Sequence, residues 1–357
     1  DVDDLKSRMG WYGDARMRYY KNKVMDGHDG TEGKSIFEKR LRLGFYASPA
    51  ENLTVDGRLK YDDHSWENDN NRTWKGAANH NSVTLDKLSL NWEHADTKTS
   101  IGRTQVSLGQ GLLWWENTVD GFYVQHQFSP KVSATLGVGD ISAAGWNEYN
   151  TNAQFSEIAV QTSPATKVTL ANMRTLTSSK RLDNSSNEVD SAYKLNQFAL
   201  GVTSQIAPKW NIIAEAVTNN VGSAGTYWHG TDMKEDLDKH GLWTRVPYGK
   251  QDWSKANTWQ VYGEYFALGN ASIDSKYWGH RLNIAGGNSY WDGTWYSGWG
   301  NGVRGFGLGA SYMLAPNTNL ELTWYKLKPY SEGYNNAGEK KFSNYDNVAY
   351  AALTYSF

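Results

Sequence analysis

Ser48-Pro49-Ala50-Glu51-Asn52-Leu53-Thr54-Val55-Asp56-Gly57-Arg58-Leu59-Lys60-Tyr61 decides the fold class of this chain. After a proline turn, Val55, Gly57, Leu59 and Tyr61 fall on one side and Asp56, Arg58 and Lys60 on the other. That is the period-two signature of a strand with one apolar face. The unit recurs. Five of the seven prolines sit in such turns: Ser48-Pro49-Ala50, Ser129-Pro130-Lys131, Ser163-Pro164-Ala165, Ala207-Pro208-Lys209 and Ala315-Pro316-Asn317. His94-Ala95-Asp96-Thr97-Lys98 and Leu268-Gly269-Asn270 read as two further turns without proline.

Strands leave these turns in pairs. The pattern predicts strands over 12–20, 37–47, 53–62, 83–93, 99–108, 120–128, 131–140, 154–162, 166–176, 194–205, 210–218, 257–267, 271–279, 303–314, 318–328 and 344–357, sixteen in all. The segment 271–279 alternates poorly, and 220–256 has room for another pair, so fourteen or eighteen strands also fit. Tight turns alternate with long loops rich in Asn, Asp, Gly and Trp, and every long loop falls at one end. A soluble sandwich or propeller does not normally segregate its loops in this way. The expected fold is all-β: a transmembrane antiparallel β-barrel of about sixteen strands with short periplasmic turns and long extracellular loops.

Composition agrees and excludes other classes. The chain has 357 residues, among them 17 Trp, 22 Tyr, 10 Phe and 35 Gly, with a mean hydropathy of -0.68. Its apolar runs are far too short for a membrane-spanning helix. A net charge of -2 gives no footprint for nucleic acid, and the absence of cysteine removes disulfides and thiolate metal sites. No signal peptide opens the chain, which implies a mature form or a fragment. No cofactor is expected, and the histidines form no zinc spacing. Asp62-Asp63-His64 with Asn68-Asp69-Asn70-Asn71 offers oxygen ligands for calcium but lacks EF-hand spacing, so a solvated loop is the expectation. No Gly-x-Ser-x-Gly elbow and no lumen-facing histidine beside a serine within a strand is found, which leaves a barrel enzyme as a less favoured alternative.

The apolar faces carry aromatic residues near strand ends, Tyr19, Phe45, Tyr61, Trp92, Phe128, Trp259, Tyr312, Trp324 and Tyr355, as interfacial girdles do. The last strand ends Leu353-Thr354-Tyr355-Ser356-Phe357. This terminus resembles the C-terminal signal of outer-membrane barrels, which implies that Tyr355 and Phe357 are read during assembly. Gly13-Asp14-Ala15-Arg16-Met17-Arg18-Tyr19, Arg40-Leu41-Arg42-Leu43-Gly44-Phe45, and Ile101-Gly102-Arg103 leading to Gly109-Gln110-Gly111-Leu112-Leu113 and Asp120-Gly121 together resemble sixteen-stranded general porins, most of all the barrel of OmpM-type porins.

The resemblance implies a homotrimer in the outer membrane of a diderm bacterium, contacting outer-membrane lipids and passing ions and small hydrophilic solutes by passive diffusion. It also implies a possible anchor to the cell wall through a preceding domain that this sequence lacks. Residues 1–11 would be the end of a linker or helical stalk, on the spacing of Val2, Leu5 and Met9, and residues 12–357 the barrel. Loop 109–118 would fold inward to narrow the pore, with Glu116 and Asp120 opposing Arg16, Arg18, Arg40, Arg42, Arg58 and Lys60. Alternatively, those basic residues simply pair with Asp14, Glu38 and Asp56 on neighbouring strands. Trp291, Trp295 and Trp299 form a loop aromatic cluster that suits sugar stacking, as does Tyr227-Trp228, or else rigidifies the mouth. A sugar-binding or substrate-specific channel is the alternative function, and a soluble sugar-binding protein a more distant one.

Overall fold

The computed structural model describes residues 8–24, 34–66, 83–141, 148–149, 151–176, 180–182, 188–190, 195–220, 238–269, 272–273, 281–282, 302–330 and 347–357. In chain order the strands are β1 (Met9–Val24), β2 (Lys34–Ala50), β3 (Leu53–Trp66), β4 (Val83–His94), β5 (Thr97–Leu108), β6 (Trp114–Ser129), β7 (Val132–Asp140) and β8 (Glu148–Tyr149). They continue with β9 (Asn152–Ser163), β10 (Thr166–Thr175), β11 (Lys180–Leu182), β12 (Glu188–Asp190), β13 (Asn196–Ala207) and β14 (Trp210–Asn219). The last five are β15 (His240–Lys250), β16 (Trp259–Leu268), β17 (Val303–Ala315), β18 (Thr318–Lys328) and β19 (Val348–Ser356).

Sixteen of these close an antiparallel barrel, while β8, β11 and β12 form a separate three-stranded sheet on the long-loop side. Closure runs from Asp14 opposite Ser356 to Lys21 opposite Ala349. It is finished by reciprocal bonds in which Gly13 N–H donates to Phe357 O at 2.9 Å and Phe357 N–H to Gly13 O at 3.0 Å. No sheet edge is left at the seam.

The period-two pattern sorts side chains as the sequence predicts. Leu41 and Leu43 are exposed on the outer face, as are Ile101, Phe122, Leu136, Leu200, Leu308 and Leu353. At the short-turn end the outer aromatic residues touch in sequence around the wall: Trp11 with Phe45 at 6.1 Å, Trp210 with Tyr248 at 4.7 Å and Tyr248 with Trp259 at 5.9 Å. All nine residues expected in the girdles lie on the outer face by strand register.

Two errors cancelled in the predicted strand count. The segment 220–256 hides one strand, β15, whose Gly241, Pro247 and Gly249 break the alternation. Pro247 has no N–H to donate, and the ladder with β14 is interrupted beside it. Conversely, the strand expected over 271–279 is absent at Ser272 and Ile273. Ser272 turns back on Gly269, its N–H donating to that carbonyl at 3.1 Å. The turn expected at Leu268-Gly269-Asn270 therefore lies at the long-loop end, and the seventh short connection is 251–258. β1 begins at Met9, before the expected barrel start at residue 12; residues 1–7 lie outside the described residues.

A second apolar core lies inside the ring. Leu112, Leu113 and Trp114 are fully buried against luminal side chains that include Phe155, Met173, Trp243, Phe266 and Tyr325. Each such burial contributes about 1.5–3 kcal/mol, so a segment between β5 and β6 is packed into the barrel rather than left in solvent.

Candidate pore and its two walls

The inward segment is shorter than predicted: only 109–113 lie outside strands, because Trp114 already pairs with Leu108 and Asn117 with Val106. Gly109 and Gly111 take φ values of +73° and +147°, which L side chains rarely adopt. Those two glycines turn consecutive peptide N–H groups toward the opposite wall. There, Gln110 N–H donates to Glu215 Oε1 at 2.8 Å, while Gly111 and Leu112 donate to Glu215 Oε2 at 3.0 and 2.6 Å. Gly109 N–H donates to Glu157 Oε2 at 2.5 Å. The Gln110 side chain lies over Gly201 and bridges Thr169 at 3.0 Å and Thr203 at 2.6 Å. Charge-assisted bonds of this kind are about twice as strong as neutral ones.

The holders are on β9, β10, β13 and β14. In a ring of sixteen, β13 is eight strands from β2 in either direction. Loop 109–113 thus leans onto the wall opposite the basic strands. Next to it, Arg245 pairs with Glu264 at 2.9 Å and lies over the Tyr262 ring at 4.2 Å. Glu264 also accepts from Trp243 at 2.9 Å and Tyr325 at 2.5 Å. Arg281 donates its N–H to Gly111 O at 2.7 Å and stacks over Trp115 at 4.8 Å.

On the other wall, Arg16, Arg18, Arg40, Arg42, Arg58 and Lys60 all point inward, since each shares its face with its cross-strand partner and alternates with exposed apolar residues. Arg18 pairs with Glu38, Lys87 with Asp56, and Arg58 with Asp86 at 2.5 Å. Arg40 and Arg42 share Asp14, at 2.7 and 2.5 Å. Lys60 lies 3.3 Å from Asp62 and 3.6 Å from Asp86. Among the described residues, pairing along the wall therefore engages five of the six, all but Arg16.

Of the two acids expected to oppose this wall, Asp120 does not. Asp120 is on the outer face, directly opposite Arg103, which grips it with two bonds of 2.7 and 2.6 Å and donates a third to Leu85 O at 2.8 Å. Glu116 is exposed where β6 begins, with φ +47° and its N–H on Ser107 Oγ at 2.8 Å. Residues 114–118 continue the strand, and that continuation sets the register that turns Asp120 outward. Glu157 and Glu215, beneath the loop, are inward acids of the wall across from the basic strands.

Tyr355 is exposed on the outer face, and its ring lies 6.0 Å from that of Phe357. Trp291, Trp295, Trp299, Tyr227 and Trp228 lie outside the described residues, as do Asn68 to Asn71 of the calcium candidate; Asp62, Asp63 and His64 belong to β3.

No protein-family model matches the chain, and no curated protein does. Solved structures do. A triple mutant of Rhodopseudomonas blastica porin aligns with a TM-score of 0.53 at 12% identity, over 98% of this chain and 100% of that one. The low-pH structure of Pseudomonas putida OprB aligns with a TM-score of 0.57 at 9% identity, over 100% of this chain and 95% of that one. The fold is that of the porins.

Proposed function

We propose that the chain is an outer-membrane porin through which ions and small hydrophilic solutes diffuse passively, with no chemistry performed on them. The observation that carries this reading is the division of faces in one closed wall. Leucines and aromatic residues point outward around the ring, while on β1 to β4 the same strands turn arginines, lysines and carboxylates inward. In water alone, an outer surface of this kind would be an aggregation hazard; in a bilayer it is the lipid contact. A segment drawn into the ring and fastened at its far wall narrows the passage without filling the basic side. The proposal extends to a homotrimer in the outer membrane of a diderm bacterium.

Reconstitution into a planar bilayer tests the reading. Discrete conductance steps, grouped in threes, are expected; refolded protein that partitions into liposomes but conducts nothing would contradict it. Attachment to the cell wall is a separate proposal on the OmpM-type resemblance. It is tested by the coding sequence upstream of Asp1, where a wall-binding domain and stalk are expected.

A further inference from the structure

The surplus charge of the basic wall collects at one place. Arg16 and Arg40 are direct cross-strand partners, both pointing into the lumen. Like charges in that position destabilise a sheet. Arg42 follows on the same face of β2, and the nearest carboxylate, Asp14, is fully engaged: Oδ1 accepts from Arg40 at 2.7 Å and Oδ2 from Arg42 at 2.5 Å. No hydrogen bond or ion pair of 4 Å or less is seen for Arg16 among the described residues; it lies beside Arg18, Tyr20 and Tyr350, with Glu38, the partner of Arg18, also near. The neighbouring cations are matched: Arg18 by Glu38, Arg58 by Asp86, Lys87 by Asp56 and Lys60 by Asp62. Three guanidinium groups around one carboxylate leave a net charge of +2. Glu321 on β18, two strands from β1, is the next inward acid, with Oε1 3.5 Å from the Tyr262 hydroxyl and Arg16 among its charged neighbours; counting it leaves the group with a net charge of +1.

The acids of the far wall are held on the other side of the lumen. Glu215 is buried under loop 109–113 and occupied by three peptide N–H groups, Glu157 holds a fourth, and Glu264 is neutralised by Arg245. Carboxylates hydrogen-bonded beneath the loop lie across the lumen from three guanidinium groups that have only Asp14 between them as an ion-pair partner. Planar guanidinium forks match the oxygens of an oxyanion.

We infer that Arg16, Arg40 and Arg42, gathered around Asp14, form a luminal subsite for a small dianionic oxyanion and give the channel a preference for anions. The inference rests on the channel reading above and names its solute class. One net charge within about 8 Å of the permeation path favours a monovalent anion over a monovalent cation by about fivefold even at the dielectric constant of water, and salt reduces the preference.

The test is reversal potential across a potassium chloride gradient, with inorganic phosphate added as the probe. Chloride is expected to permeate about fivefold better than potassium, and millimolar phosphate to lower the chloride current saturably. The double variant Arg16→Gln, Arg40→Gln should lose both effects, Arg16→Lys should keep the ion preference while weakening the phosphate effect, and Lys131→Gln in a short turn should change neither. Steps of normal size with no anion preference, or indifference to phosphate, would overturn the inference and leave the channel standing. Absence of conductance would sink the channel reading; calorimetric titration of the folded protein in detergent with phosphate then decides the subsite alone. Heat released by the native protein and not by the double variant supports it, and none from either rejects it.

Discussion

The wall formed by β1 to β4 and the wall formed by β9 to β16 carry similar residue types and use them differently. On the first, the charged side chains are half-buried or buried in ion pairs along the wall, and two arginines share a single aspartate. On the second, charges are buried and consumed: Glu215 by backbone donors, Glu264 by Arg245, Trp243 and Tyr325. On the proposed channel reading, a luminal charge acts most strongly on a solute where no opposite charge is paired with it. Formal net charge, -2 for the whole chain, says little about the field in the passage.

Removing Glu215 should produce the largest effect. Glu215→Ala deprives three N–H groups of their acceptor, and charge-assisted bonds at about 1.5–3 kcal/mol each put the loss near 5 kcal/mol or more. Loop 109–113 is expected to leave the far wall, changing the single-channel step by about twofold and raising open-channel noise; Glu215→Gln, which retains an acceptor, should fall between. An unchanged step and noise level would mean that the loop is not fastened there. Next comes Arg245→Met, which strands buried Glu264 and should cost about 3–5 kcal/mol. It would be seen as a lower temperature for loss of the compact form on gels, with ion preference unaltered. A large change in preference would show that the second wall also acts on solutes.

Leu43→Arg and Arg42→Leu compare neighbours on opposite faces. The first places a charge in the lipid band and should cost about 2–4 kcal/mol in bilayer unfolding titrations. The second should alter conductance with a smaller stability loss. Gly201→Ala is milder: its new Cβ would lie 2.5 Å from Gln110 Cγ and 2.7 Å from Thr169 Oγ1. A repacking cost of about 1–3 kcal/mol should show as a modest change in step size. Smallest of all is Glu93→Gln, which breaks the exposed pair with Lys98 at 3.0 Å. It is expected to cost under about 1 kcal/mol and leave conductance as it was.

Alternation made most of the barrel legible. Leu41, Leu43 and Phe45 against Arg40 and Arg42 told inside from outside once closure was assumed, because a strand has only two faces. β15 escaped because Pro247 and two glycines removed the side chains that carry the signal. The loop's fastening was illegible for another reason: Gly111 and Glu215 are 104 positions apart, and no local pattern links a peptide N–H to a distant carboxylate. Asp120 went astray although the predicted strand 120–128 contains it: it shares the parity of Phe122 and Phe128 on the outer face, opposite Arg103.

The central claim, that adjacent residues of one strand meet water and lipid in turn, can be tested cleanly because the chain has no cysteine of its own. Single substitutions Arg40→Cys, Leu41→Cys, Arg42→Cys and Leu43→Cys would be exposed, in bilayers, to a charged water-soluble thiol reagent while current is recorded. Modification with loss of current at 40 and 42, and protection at 41 and 43, is the expected result. The reverse alternation, or equal reaction at all four, would contradict the account.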